Sequence, residues 1–408
     1  MPTEVAAIAV FALTYLAMAL GGIPGLRLDR AGAALAGAAA MVACGALSLD
    51  EAYRAVDLGT LTLLLGMMIV VASLKLSGCF EIVGAWTAAR ARYPLLLLAA
   101  VVLVAGFFSA FLVNDAVCLV MTPLVYELTV RLKRQPVPYL LAVAMAANVG
   151  SVATITGNPQ NIIIGSASGI PYAAFAAALA PVAGIGLLIT IAGLALGFRH
   201  EFWSWEPLRA EPAATRAQAL APERPSLGKT AVVTLAMMAG FFAGLPPAAV
   251  AIGAGALMLI TRRVESRRIY AEIDWPLLAM FAGLFIVVAG LQKWVITGQA
   301  QSIIGALRLE RVPVLAAITA VLSNLVSNVP AVLVLKPFIA ALHDPRRAWL
   351  TLAMAATLAG NLTLVGSIAN LIVARGAQSA GVRIGFWTYL KVGAPLTVLT
   401  ILVGILRL

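Results

Sequence analysis

The sequence predicts an all-α polytopic membrane protein built as two inverted repeats. Each repeat has five crossings, one re-entrant helical hairpin, and helices broken at the midplane. Three observations predict this. The first is composition: 62% of the 408 residues are hydrophobic and 11% are charged, against about 45–50% and about 25% in a soluble domain. The second is that several apolar runs exceed the ~18 residues a helix needs to cross a hydrocarbon core. The third is that motifs of the first half recur, in order, in the second.

Composition also excludes. A soluble enzyme, a disordered chain, a coiled coil and a secreted disulfide scaffold are ruled out. An outer-membrane barrel would alternate apolar and polar residues, and these runs do not. The net charge of +11 comes from arginines in short loops between apolar runs. That is the positive-inside pattern of an inner-membrane protein, not a nucleic-acid face. Cys44, Cys79 and Cys118 have no metal-ligand spacing, and His200 and His343 are the only histidines. A disulfide framework, a multi-histidine metal site and a resident cofactor are therefore not expected.

Apolar runs occupy 5–23, 31–48, 58–77, 94–130, 138–170, 173–197, 230–245, 247–261, 276–292, 312–342, 349–374 and 386–407. The first lacks a basic start and a cleavage site, so it reads as a first transmembrane helix. Runs 94–130 and 312–342 are too long for one span. They carry Asn114-Asp115 and Ser327-Asn328 near their middles and read as hairpins. Runs 138–170 and 349–374 are interrupted at Gly157-Asn158-Pro159 and Gly366-Ser367, as helices unwound partway. Stretch 198–229, with four prolines and charges of both signs, reads as a solvated cytoplasmic linker. It separates an N-terminal repeat, 1–197, from a C-terminal repeat, 230–408.

The repeat is readable residue by residue. Asp57, Gly66 and Ile69 match Asp274, Gly283 and Ile286 at an offset of 217. Ser109, Asn114 and Pro123 match Ser323, Asn328 and Pro337 at 214; Gly157 and Asn161 match Gly366 and Asn370 at 209. Charge fixes the topology. Arg27, Arg30, Arg90, Arg92, Arg131, Lys133, Arg134, Arg262, Arg263, Arg267 and Arg268 fall inside, and the acidic loop around Asp50 and Glu51 falls outside. Five crossings per half is odd, so the halves point in opposite directions. This is the plan of secondary transporters, with binding near the midplane at broken helices.

Irregular backbone at membrane depth is tolerated only where it lines a cavity or is buried in protein. The hairpin tips and broken helices are therefore the candidate site. The second hairpin arms begin near Asn114 and Asn328, whose free N–H groups favour an anion. Thr156, Gly157, Asn158, Asn161, Gly366, Ser367 and Asn370 offer further hydroxyls, amides and carbonyls, the carbonyls for a small cation. Asp115 alone among the acids sits near the middle of a long apolar run. It is read as a proton carrier, a Na⁺ ligand or a cation's partner rather than as a helix cap. If the substrate is an anion, a proton or Na⁺ at Asp115 removes their repulsion, a physical route to coupling. Asp57 and Asp274 read as plain N-caps. Na⁺ is expected around Asn114, Asp115, Gly157, Asn328 and Gly366.

Ser109-Ala110-Phe111-Leu112-Val113-Asn114-Asp115, followed by Met121-Thr122-Pro123, resembles the first signature of the ion transporter superfamily. That group holds arsenite permeases, a class of sodium/proton antiporters, and divalent-anion/sodium symporters of the dicarboxylate and citrate type. Thr156 to Asn161 resembles the broken-helix loop of the symporters, and Ser327-Asn328-Val329-Pro330 the hairpin of the arsenite and antiporter branches. The resemblance covers nearly the whole chain outside 198–229. It implies alternating access by a scaffold and a transport domain. It implies substrate and cation contacts at Asn114, Asp115, Gly157, Asn158, Asn161, Asn328, Gly366, Ser367 and Asn370. The symporters' Ser-Asn-Thr hairpin tips are absent, which places the chain nearest an anion-permease group between the branches. The symporter branch suggests a homodimer.

The sequence thus points to a transporter of a small oxyanion or carboxylate-like anion across the lipid bilayer, coupled to Na⁺ or H⁺. A sodium/proton antiporter of the same fold is the alternative. A passive channel conflicts with midplane hairpins entering from opposite sides. An intramembrane enzyme lacks a Gly-x-Ser-x-Gly motif, paired aspartates and any histidine away from a loop.

Overall fold

The computed structural model describes residues 2–20, 28–203, 207–208, 226–260 and 264–408. Arg27, Arg262, Arg263 and most of 198–229 lie outside the described residues, so those marks of topology and linker are not visible in it. Every regular element among the described residues is helical.

The helices fall into two series of the same order. The first runs α1 (Pro2–Ala19), α2 (Arg30–Ala43), the short α3 (Leu49–Ala55), α4 (Leu58–Leu76) and α5 (Cys79–Arg90). The hairpin arms α6 (Pro94–Phe111) and α7 (Asn114–Arg131) follow, then α8 (Pro136–Ser151), α9 (Pro159–Ser168), α10 (Tyr172–Gly197) and α11 (Arg199–Phe202). The second runs α12 (Leu227–Phe242), α13 (Pro247–Leu259), α14 (Ser266–Tyr270), α15 (Trp275–Leu291), a π-turn at Gln292–Ile296 and α16 (Thr297–Leu307). Its hairpin arms are α17 (Val312–Val326) and α18 (Asn328–Ile339), followed by α19 (Pro345–Ala359), α20 (Ile368–Ser379) and α21 (Phe386–Arg407). α4, α6, α10 and α21 are each long and apolar enough to cross a membrane alone, as is α15 continued through the π-turn to Trp294.

Local chemistry sets the ends. Asp57 and Asp274 are N-caps as expected, accepting from Thr60 N and Leu277 N at 3.0 Å each. Ser48 and Glu51 close a capping box on α3. Proline opens α6, α8, α9, α13 and α19, where its missing N–H costs nothing. Interior prolines fall at matching places: Pro123 and Pro337 in α7 and α18, Pro181 and Pro395 in α10 and α21.

The two series are exchanged by their contacts. α4 packs on α13, and its counterpart α15 packs on α2. At the first crossing a Cβ on Gly66 would meet the Ala251 backbone carbon at 2.4 Å; at the second, a Cβ on Gly283 would meet that of Ala34 at 2.7 Å. Both glycines and both alanines differ by 217 residues, so one contact is the other with the halves swapped. Ion pairs give direction. Lys75, at the end of α4, reaches Glu272, just before α15, at 2.5 Å. Lys293, just past α15, reaches Glu51 of α3, just before α4, at 2.7 Å. Each helix ends where its counterpart begins, so α4 and α15 run antiparallel. The Lys293 ammonium, with the Ser48 backbone N–H, holds the Glu51 carboxyl down at about 2.

The glycine crossings make a clean prediction. Gly66→Ala is expected to lower stability by about 1–3 kcal/mol, because backbone has to move to admit the methyl group. Thermal unfolding in detergent checks it.

Two features were not legible in advance. α5 and α16 lie in stretches too polar to register as apolar runs. The first residues of the expected linker are packed rather than solvated: Glu201 and Phe202 are buried. Arg134 Nε donates to Glu201 Oε1 at 2.7 Å, and Phe202 meets Tyr139 edge-on at 5.2 Å.

Candidate functional site

Both helix breaks are held by the same device. Asn161 Nδ2 donates to the carbonyls of Ser151 and Thr154 at 3.1 and 2.9 Å. Asn370 Nδ2 donates to those of Gly360 and Thr363 at 2.7 and 3.1 Å. All three positions differ by 209 residues. Carbonyls freed when a helix unwinds have to be paired in a dry interior, and one amide on the next helix pairs two of them. Gly157 permits the close turn: a Cβ there would lie 2.3 Å from the Ser151 carbonyl oxygen.

The expected site residues therefore divide into two groups. Asn114, Asp115, Asn328 and Ser367 line one small cavity. Thr156, Gly157, Asn158, Asn161, Gly366 and Asn370 stand behind it, outside its lining. Thr156 Oγ1 bonds Tyr172 Oη at 2.8 Å. Asn158 caps α9 by accepting from Asn161 N at 2.8 Å. Of the carbonyls expected to be open to a cation in the two broken segments, that of Thr154 is taken by the Asn161 amide.

Four helices point their N-termini at the cavity. α7 contributes Asn114 and Asp115, α18 contributes Asn328 to Pro330, α9 contributes Pro159 and Gln160, and α20 contributes Ile368 after its Ser367 cap. Their unpaired N–H groups and dipoles make a positive concavity without any side-chain charge. Arg30, at the start of α2, is the one cation in the lining. It forms no ion pair among the described residues, and it feels the repulsion of Arg375 on α20. Arg30 read as a topology mark in the sequence; only the fold carries it to the cavity.

Behind the tips lies a buried amide network centred on Asn148 of α8. Its Nδ2 donates to Asn361 Oδ1 and Asn370 Oδ1, both at 2.9 Å. Its Oδ1 accepts from Asn114 Nδ2 and Ser367 Oγ, both at 3.1 Å. One side chain thus joins the first hairpin tip, both broken helices and the α20 cap. Sequence reading missed it. The signal was present: Asn148 and Asn361 lie 213 residues apart, within the drift from 214 to 209.

Two details mark the tips as more than packing. Buried acceptors remain without partners at matching places: Ser109 Oγ and Asn114 Oδ1 in the first hairpin, Ser323 Oγ and Asn328 Oδ1 in the second. Ser327 takes φ 83°, ψ 158°, a conformation suited to glycine that costs of order 1–3 kcal/mol. Asp115 neither caps α7 nor makes a hydrogen bond or ion pair. It also borders a second cavity with Asp274, Glu272, Lys75 and Leu277, and its charge repels that of Asp274.

Comparison with known proteins agrees with this architecture. Residues 13–355 match the family profile described as CitMHS, citrate transporter. A "46 kDa membrane protein" of Mycobacterium leprae is 32% identical, with 98% of this chain and 96% of that protein covered. The rice silicon efflux transporter LSI3 is 29% identical, covering 99% and 97%. The Escherichia coli inner membrane protein YbiR is 31% identical over 86% and 87%. The fold is similar to the crystal structure of the Alcanivorax borkumensis YdaH transporter, with TM-score 0.56, 15% identity and coverage of 99% and 97%. With five helices among the described residues long enough to span a membrane and a family profile covering most of its length, the chain is a membrane transporter, not an enzyme, and belongs to the CitMHS citrate transporter family of the ion transporter superfamily.

Proposed function

We propose that the protein carries a small anion, carboxylate-like or an oxyanion, across the inner membrane by alternating access, coupled to Na⁺ or H⁺. The observation that carries this reading is the convergence of four helix N-termini and Arg30 on one cavity. Partial positive charge from several directions, in a site largely shielded from water, selects for negative charge. The family description favours a carboxylate such as citrate among the candidates.

Coupling follows from what the cavity lacks. An ionised Asp115 beside the anion opposes binding, and among the described residues no cation forms an ion pair with it. A proton on Asp115, or Na⁺ beside it, removes that opposition. The unpartnered oxygens of Asn114, Asn328, Ser109 and Ser323 are hard acceptors of the kind Na⁺ takes, and they support Na⁺ at the hairpin tips. A second reading, sodium/proton antiport without an anion, draws support from the acid-lined cavity on the other side of Asp115.

Arg30→Gln tests the anion reading. It removes the only charge that favours the anion directly, with no ion pair to break. Uptake of labelled citrate and other carboxylates into proteoliposomes is expected to show KM raised about 10–100-fold, as for loss of a charge-assisted contact of 1.5–3 kcal/mol. Unchanged KM for every transported anion contradicts it.

A further inference from the structure

The repeat is symmetric in sequence, but one pair of equivalent contacts is made and the other is not. On the Asp57 face, the aspartate that caps α4 has a second use. Ser166 Oγ, near the end of α9, donates to Asp57 Oδ2 at 2.8 Å. Lys336 of α18 adds an attraction for the same carboxylate. α4 and α9 pack together there.

On the opposite face the counterparts are Asp274, which caps α15, and Arg375, near the end of α20. They sit 217 and 209 residues after Asp57 and Ser166, the offsets of the flanking repeat motifs. No hydrogen bond or ion pair joins them, and Arg375 is exposed. No packing like that of α4 on α9 joins α15 and α20. The acid-lined cavity separates them instead, with Asp274 on one wall and Ile372, one turn before Arg375, on another. The main cavity extends toward this same end: its lining includes Leu277, Met280 and Phe281 from the first turns of α15.

We propose that Asp57–Ser166 and Asp274–Arg375 are the two alternating latches of the transport cycle, one at each face. In the structure the first is closed and the second open. In the opposite state α20 closes on α15, Arg375 pairs with Asp274, and Ser166 releases Asp57. An inverted repeat requires this in outline, since the second state is the first with the halves exchanged. The Asp274 latch is a charge pair, whereas the Asp57 latch is a hydroxyl bond beside the attraction of Lys336. The two states are thereby held by unequal contacts, which biases their populations.

The test needs no substrate. In full-length protein with Cys44, Cys79 and Cys118 replaced, Met280→Cys reports access to the cavity through its labelling rate with a charged maleimide. Asp57→Cys/Ser166→Cys, oxidised in proteoliposomes, is expected to cross-link and leave the reporter open. Asp274→Cys/Arg375→Cys is expected to cross-link as well and to protect the reporter, with reductant restoring access. Failure of the second pair to form while the first forms overturns the proposal, as does formation without protection. Because Asp274→Cys also removes a helix cap, Ser166→Arg serves as the second variant. It gives the Asp57 latch a charge pair, and faster reporter labelling is expected; slower or unchanged labelling contradicts the latch. None of these outcomes depends on which anion is carried.

Discussion

Asn148→Ala is expected to destabilise the protein by about 3–5 kcal/mol and to abolish transport, because it strands several buried polar groups at once. Asn361 and Asn370 each lose a donor, and Asn114 and Ser367 each lose an acceptor. All four partners are buried, so water does not replace the lost bonds without opening the core. The same change frees the first hairpin tip from α8. Thermal unfolding in detergent, together with uptake into vesicles, checks both effects. A loss below about 1 kcal/mol would mean that the amide network is not what holds the tips.

Asp115→Asn is expected to behave in the opposite way: a folded protein that has lost its coupling. The Asp115 carboxylate makes no hydrogen bond or ion pair, so its loss removes no structural contact. The amide carries no charge to oppose the anion and takes up no proton. Anion affinity in the variant should no longer depend on Na⁺ or pH, where a dependence of about 5–150-fold, the usual range of a coupling free energy, is expected of the native protein. Under the antiport reading the same substitution abolishes Na⁺-driven proton flux with no anion present. Full native coupling in Asp115→Asn would remove Asp115 from the mechanism.

Much of the architecture was legible because a bilayer leaves few options. Long apolar runs become helices, and breaks within them need a reason. Asn114, Asn328, Gly157 and Gly366 were visible as those breaks, and the structure interrupts the helix just before the two asparagines and around the two glycines. What could not be read was which face of a break the cavity occupies. Asn161 and Asn370 carry the chemistry of a ligand site, yet they spend their amides on the backbone carbonyls beside them. Choosing between those uses requires three-dimensional distances. Arg30 shows the converse. Its position beside a loop is explained by topology, so nothing in one dimension distinguishes it from Arg90 or Arg131. Asn148 was overlooked for a simpler reason: it interrupts an apolar helix without a glycine or proline beside it to mark a break, although the repeat offset singles it out.

We propose that the cavity under the hairpin tips binds an anion together with its coupling ion. Thermal unfolding of the detergent-solubilised protein against citrate and a panel of other carboxylates and oxyanions, each in Na⁺ and in K⁺ at two pH values, tests it most directly. A ligand that binds the folded state raises the unfolding temperature by mass action. The expected result is at least one anion that stabilises the native protein only with Na⁺ or only at the lower pH, and that fails to do so in Arg30→Gln. Stabilisation by Na⁺ or by pH alone, with every anion silent, would contradict the anion site and favour the antiporter.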